Sequence, residues 1–244
     1  MEESKNKGTL NQIKSKCIFN KLKSDSFLEK TFNNLQKMKL LEIVKYNNHT
    51  KQRLNLTIYD YKKYCETYSS IEIEITPIKN KYGKFIHIDN GEQFYYYYHI
   101  YFNNNVEEVK RNYLNEEDNV SIITIIIDYQ ITSLNYLFFK CNCIESINFK
   151  KFYRNNIKSM SYMCEECSSL KEINLSNFNT DNVKDMSFMF YGCTSLKEIN
   201  LSNFNIDNAT DMNGMFSRCS NEIKTKIKSQ IKNIKQEAFE NIDF

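Results

Sequence analysis

A gapless repeat of 26 residues constrains this chain more than any other feature. Four segments align in register, beginning at Ile131, Ile157, Val183 and Ala209. The second reads IKSMSYMCEECSSLKEINLSNFNTDN and the third VKDMSFMFYGCTSLKEINLSNFNIDN. The first, ITSLNYLFFKCNCIESINFKKFYRNN, is degenerate but aligned, and the fourth stops after ATDMNGMFSRCS. A period of this length marks stacked supersecondary units, because one such unit cannot bury its apolar face alone.

Each unit carries two hydrophobic periods. In the third, Met186, Met189, Phe190 and Cys193 fall at i, i+3, i+4 and i+7, which predicts one face of a short helix. Leu134, Leu137, Phe138 and Cys141 repeat the pattern, as do Met160, Met163, Cys164 and Cys167, then Met212, Met215, Phe216 and Cys219. Just before each face stands an N-cap residue: Ser133, Ser159, Asp185 or Asp211. The second half switches to the spacing L-x-x-I-x-L, as Leu196, Ile199 and Leu201, with Leu170, Ile173, Leu175 and Ile144, Ile147, Phe149 in the earlier copies. Ile199 and Leu201 share one face of a strand. Phe152, Phe178 and Phe204 follow, then a polar turn such as Asn179-Thr180-Asp181-Asn182. A unit is predicted to run strand, turn, short helix, turn, with the strands stacked in a parallel sheet at ~4.8 Å spacing.

Met189-Phe190, Cys193, Ser195-Leu196, Ile199, Leu201-Ser202, Phe204, Val183 and Met186 resemble the BspA-like leucine-rich repeat family, in its variant M-F-x-x-C-x-S-L-x-x-L-x-L-S-x-F-x-T-x-x-V-x-x-M. The resemblance covers residues 131–219. It implies a solenoid fold and a binding role, and many relatives are surface or adhesion proteins of microbes and protists. The chain departs from those in showing no signal peptide. It also has Phe where many leucine-rich repeats bury Asn, so no asparagine ladder is expected there. The fold class expected is therefore an α/β repeat solenoid, a leucine-rich-repeat-like parallel sheet with short helices. A small helical segment and a β segment precede it, and a C-terminal helix closes it.

Four regions follow from this reading. Residues 1–68 form a helical N-terminal segment. Residues 69–130 are β-rich and cap the sheet, residues 131–219 are the repeats, and residues 220–244 are a capping helix. In the first region Thr9 and Gln12 fit a capping box. IKSKCIFNKL followed by LLEIVKYN resembles an F-box, without its Leu-Pro and with stretched spacing; the plain alternative is a helical cap. In the second, Ile71, Ile73 and Ile75 alternate with Glu72 and Glu74 as a half-buried strand. Asp89-Asn90-Gly91 signals a hairpin between KFIHI and FYYYYHIYF, Val106–Leu114 reads as a short helix, and SIITIIIDYQ reads as a fully apolar strand entering the first repeat. In the last, Ser220–Phe239 reads as one helix whose Ile223, Ile227, Ile231 and Ile234 form an apolar stripe. Such a stripe would cover the open end of the repeats.

Composition excludes little. Hydrophobic residues make up 41% of 244, enough for a core, and the net charge of +3 is too small to imply nucleic acid or membrane binding. Residues 1–65 hold 14 basic against 6 acidic side chains, a balance of +8 that leaves −5 for the remainder. The longest apolar run, around Ile122–Ile127, cannot span a membrane. The polar start and the missing span make a cytoplasmic location the expectation, with cysteines held as thiols.

Candidate chemistry is sparse. Cys141, Cys143, Cys164 and Cys167 have zinc-like spacings, but Cys141, Cys167, Cys193 and Cys219 share one repeat position and read as small buried hydrophobes. His49, His87 and His99 are scattered, and five glycines leave little room for a phosphate-cradling loop. Asp181, Asp207, Asp185 and Asp211 fit turns and caps better than calcium loops. No catalytic residue, metal or cofactor is expected. What remains is the outward face of the strands: Ser146, Asn148 and Lys150, then Glu172, Asn174 and Ser176, then Glu198, Asn200 and Ser202. The candidate binding residues are Asn148, Glu172, Asn174, Ser176, Glu198, Asn200 and Ser202. Identical columns are also what duplication alone produces. The function expected is a non-enzymatic protein-binding scaffold for a protein partner, not nucleic acid. An adaptor joining F-box-like helices to target-binding repeats, and a surface adhesin, are the alternatives.

Overall fold

A computed structural model describes Gln52, residues 57–88 and residues 97–241. The chain divides into two compact units, residues 1–66 and 67–244. Helix α1 (Ile58–Tyr68) opens on a reciprocal cap. The Thr57 amide donates to Asp60 Oδ2 at 2.7 Å, and the Asp60 amide donates back to Thr57 Oγ1 at 3.3 Å. The Thr9–Gln12 capping box, the F-box-like stretch and the Asp89-Asn90-Gly91 turn lie outside the described residues.

The second unit is mostly β. Its strands are β1 (Ile71–Pro77), β2 (Gly83–Lys84), β3 (Tyr98–Phe102), β4 (Tyr113–Leu114), β5 (Ile123–Ile127), β6 (Ile144–Lys151), β7 (Glu172–Asn174) and β8 (Glu198–Asn200). Six of them form one mixed sheet in the order β3-β5-β1-β6-β7-β8. The repeat strands run parallel in the register of the period, with Ile147 beside Ile173 and Ile173 beside Ile199. The preceding strands pair antiparallel, and β1 joins the two halves by pairing with β5 on one side and β6 on the other. The Ile-Glu alternation of β1 is the reason: Ile71, Ile73 and Ile75 are buried while Glu72 and Glu74 stay half-exposed. The strand in SIITIIIDYQ forms as β5, but with alternate burial rather than burial on both faces, and it touches β1 rather than the first repeat. Val106–Leu114 is not a helix. Glu108 bridges Tyr101, and Tyr113–Leu114 pairs with Gly83–Lys84. KFIHI accordingly contributes only Lys84 to a strand, the two-residue β2, which pairs with β4.

The repeat helices are also absent. The apolar i, i+3, i+4, i+7 residues are buried as expected, but the backbone there is a run of turns. Tyr136, Tyr162 and Phe188 take positive φ, as do Lys140, Glu166 and Arg218, which breaks any helix after one turn. Alternate amides turn outward to the next repeat: Leu134 donates to Ser159 O, Tyr136 to Ser161 O, Phe138 to Met163 O and Lys140 to Glu165 O. A helix would spend those donors on its own i−4 carbonyls. Here the cross-repeat ladder takes them, and i→i+3 bonds such as Leu137 N–H to Leu134 O close the turns. With no helix to cap, the residues predicted as N-caps close turns instead. Ser133, Asp185 and Asp211 each accept from the amide two residues on, at 3.0, 3.0 and 2.9 Å.

The C-terminal end stands in for a further repeat. Helix α2 spans Asn221–Gln230, capped by Ser220 and burying Ile223 and Ile227. It is shorter than the single helix expected to Phe239, because the chain leaves helical geometry at Ile231 and resumes as a short 3-10 turn, Gln236–Phe239. That turn offers the carbonyls a following repeat would supply: Gly214 donates to Glu237 O and Phe216 to Ala238 O. Phe239 stacks on Phe216 with ring centroids 5.8 Å apart.

Arg154 fastens the first repeat to the preceding strands. Its side chain is fully buried, with Nε donating to Ser69 O at 2.7 Å and Nη1 to Tyr129 O at 2.6 Å, while Nη2 has no partner. Burial pushes its guanidinium pKa down, against a smaller pull upward from Asp128. Arg154→Ala removes two charge-assisted bonds and leaves both carbonyls to find other donors, so a loss of roughly 2–4 kcal/mol is expected in urea unfolding. A midpoint within error of the parent chain would show that Arg154 holds nothing together.

Candidate functional site

The outward residues of the strands meet in rows because register fixes which side chains are neighbours. Asn148, Asn174 and Asn200 stand side by side, and Asn174 Nδ2 donates to Asn148 Oδ1 at 3.2 Å. Glu172 and Glu198 are neighbours in the next row, both exposed, and that row reaches back through Ser146 to Thr76. Ser176 and Ser202 lie just past the strand ends, where their amides donate to Asn174 Oδ1 and Asn200 Oδ1 at 3.0 and 3.2 Å. Register therefore puts Asn148, Glu172, Asn174, Glu198 and Asn200 on one side of the sheet, with Ser176 and Ser202 beyond its strand ends. Most of them are engaged: Asn174 is half-buried and bonded to Asn148, Asn174 and Asn200 accept from the Ser176 and Ser202 amides, and Glu198 pairs with Lys226 at 2.7 Å.

The face is wider than the repeats. Antiparallel pairing continues the asparagine row through Glu74 on β1 and Thr124 on β5 to Tyr101 on β3. Glu74 also pairs with Lys150 at 3.2 Å. Glu72, Ile126 and His99 form a parallel row. Reasoning by repeat stops at Ile131 and could not find these residues. The only local signal was the Ile-Glu alternation of residues 71–75.

His99 illustrates the same gap. Its Nδ1 lies 3.0 Å from Glu108 Oε1 and its Nε2 3.1 Å from Asp128 Oδ2. Both ring nitrogens are occupied by carboxylates, an arrangement that holds the ring in place and leaves no nitrogen to activate a nucleophile. His87 packs edge-on against Phe139. His49 lies outside the described residues. Among the described residues, no group of three or more His, Cys, Asp and Glu is placed to hold a metal ion.

The repeat cysteines form a ladder of buried thiols. Cys167 Sγ lies 2.8 Å from Phe138 O, Cys193 Sγ 3.1 Å from Cys164 O, and Cys219 Sγ 3.1 Å from Phe190 O. Each thiol donates to a carbonyl of the previous repeat, which a methyl or methylthio group could not do. The position thus calls for a small apolar group with one weak donor. Burial pushes the thiols of Cys141, Cys164 and Cys193 well up, Cys143 to about 11 and Cys219 to about 12. These are poor nucleophiles and poor metal ligands, since both roles need the thiolate. Cys65, by contrast, is exposed.

The position after the strand, where a buried asparagine was not expected, carries a phenylalanine spine. Phe152 and Phe178 stack with centroids 4.0 Å apart and planes 4° from parallel. Asparagines outside the spine tie the repeats instead. Asn177 Nδ2 donates to Phe149 O and Asn182 Nδ2 to Asn155 O, at 3.1 and 2.7 Å.

The repeats, from Thr132 onward, and the closing turn fall within the match of one family model. Residues 132–242 match the family described as Mycoplasma protein of unknown function, DUF285. The DUF285 match takes in the turns, β6 to β8, α2 and the Gln236–Phe239 turn, so the cap belongs to the same sequence pattern as the repeats it closes. It leaves β1 to β5 outside, although β1 pairs directly with β6. No curated protein and no solved structure matches the chain. Among the described residues no helix is long and apolar enough to cross a membrane.

Proposed function

We propose that the chain is a non-enzymatic protein-binding module, a leucine-rich-repeat-like solenoid of the BspA-like type that engages a protein partner on the outward face of its sheet. The observation that carries this reading is the in-register row of polar side chains running from Tyr101 to Asn200. Such a row is a continuous surface on which one extended partner can make many similar contacts. Its central residues are Glu74 and Asn148, and interface energy concentrates in central, desolvated residues.

The charge of the face selects the partner. Glu72, Glu74, Glu172 and Glu198 stand on it, with Lys150 and Lys226 each already paired to one of them. A basic or polar protein surface fits this pattern, whereas nucleic acid phosphates would be repelled. Cross-linking capture from native cells, with partners identified by mass spectrometry, supplies the assay. Glu172→Lys combined with Glu198→Lys is expected to abolish capture of the specific partner. Stability should change by under ~0.5 kcal/mol per exposed site, since a surface ion pair such as Glu198–Lys226 contributes little. Capture that survives the double change but fails when residues 1–65 are removed would move binding to the N-terminal unit and favour the adaptor reading.

A further inference from the structure

Side chains seal the junctions among the first three repeats, most of them reaching back from the later one. Asn177 and Asn203 reach back to the carbonyls of Phe149 and Ser176, and Asn182 and Asn208 reach back to those of Asn155 and Asp181. The hydroxyl of Thr180 bridges both the N–H and the C=O of Asn205 at 2.7 Å. Among the described residues no strand follows the third repeat. β8 is the last strand of the sheet and pairs with β7 alone. In a parallel pair the residues that bond one neighbour alternate with those that face the other side. Leu175 donates to Asn200 O, so the backbone groups of Ile199 and Leu201 face the open edge.

A cleft of about 900 Å³ runs along that edge, with residues 198–207 on one side and Lys226, Gln230, Ile231, Lys232 and Asn233 on the other. The sequence explains why it is open. In the repeat register, Thr225 and Ile227 stand where a fourth strand would place its Ile and Leu, and both lie in α2. A helix satisfies its backbone internally and cannot pair with β8. The third repeat has also exchanged the bridging Thr180 for Ile206, which lines the cleft opposite Ile231.

We propose that the β8 edge is a peptide-docking site, which takes an extended segment of a partner protein as a seventh strand of the sheet. Backbone hydrogen bonds to Ile199 and Leu201 would hold the segment, and alternate apolar side chains would meet Leu201, Ile206 and Ile231. The cleft carries charges of both signs, Glu198 and Asp207 against Lys226 and Lys232, so a weakly charged segment of alternating apolar and polar residues fits best. A second copy of this chain fits badly. Its β8 is recessed behind its own residues 226–233, and two recessed edges cannot meet. The site differs from the sheet face, because it reads backbone rather than side chains.

The probe is a fluorescein-labelled peptide of the chain's own third strand, residues 194–206 (TSLKEINLSNFNI), titrated with the full chain by anisotropy. Saturable binding is expected. N-methylation of alternate peptide residues, in the phase that faces β8, should weaken it roughly tenfold or more, the effect of losing two or three hydrogen bonds. A photoreactive group in the peptide should label residues 199–206 or 230–233. Glu116→Lys, an exposed change between β4 and β5 and outside the cleft lining, should leave the peptide affinity unchanged. Equal binding by the methylated peptide, labelling elsewhere, or no saturation would overturn the proposal. So would a dimer of the free chain that the peptide disperses, since a second copy would then be the occupant.

Discussion

Removing residues 221–244 should leave a chain that no longer folds as a monomer. Ile223, Ile227 and Ile231 are buried against the last repeat, and burying an isoleucine contributes ~1.5–3 kcal/mol. Three of them approach the ~5–15 kcal/mol by which a whole domain is stable. The same deletion strips Phe239 from Phe216 and withdraws the carbonyls that accept from Gly214 and Phe216. Those two amides would be left beside an uncovered apolar end, which is a template for aggregation. Size-exclusion chromatography and a thermal melt decide the matter. A truncated protein that elutes as a monomer with an unchanged melting temperature would show that α2 and the turn after it are an appendage.

A second large effect is expected in alkaline solution. Unfolded thiols ionise near pH 8.5, whereas burial holds Cys143 at about 11 and Cys219 at about 12. Above pH 8.5 the unfolded chain releases protons that the folded chain keeps, so stability falls as pH rises. The stabilisation is complete below pH 8.5 and is lost progressively up to the folded values. The slope is about 1.4 kcal/mol per pH unit for each such thiol. Cys143 and Cys219 together then cost about 4 kcal/mol at pH 10, and Cys141, Cys164 and Cys193 shift in the same direction. Urea midpoints measured at pH 7.5, 9 and 10 should fall steeply, and Cys219→Ala should flatten the fall. A midpoint that does not move with pH would mean that the thiols are not sealed. A thiol-reactive dye offers an independent check: at pH 7.5 the exposed Cys65 should react at once, and the buried thiols only on unfolding.

The period of the repeat was enough to place the core. Every i, i+3, i+4, i+7 residue in the repeats is buried, and every strand residue assigned inward, from Ile147 to Ile199, is inward. The reason is that stacking copies puts equivalent residues in contact, so one assignment of inside and outside serves all copies. The outward columns Asn148, Asn174, Asn200 and Glu172, Glu198 followed from the same logic, and so did the closing role of Ile223 and Ile227.

Backbone conformation within the unit was not legible. A helix and a run of turns bury the same apolar pattern, and the choice rests on where the amides find acceptors. Leu134, Tyr136, Phe138 and Lys140 find theirs one repeat away, 25 residues along the chain for Leu134 and Ser159, and a local pattern carries no record of that. The same holds for β1. Its alternation declares a half-buried strand, but a strand of that kind can pair on either edge with any partner of matching alternation. Only the assembled sheet places it between β5 and β6, carries the polar row on to Tyr101, and sets His99 between Glu108 and Asp128. Sequence by itself determined which residues are inside and which copies are neighbours, because repetition makes those contacts predictable. Tertiary structure decided the hydrogen-bond partners, the buried anchor at Arg154 and the open edge at β8, because each depends on chain segments whose meeting no periodicity encodes.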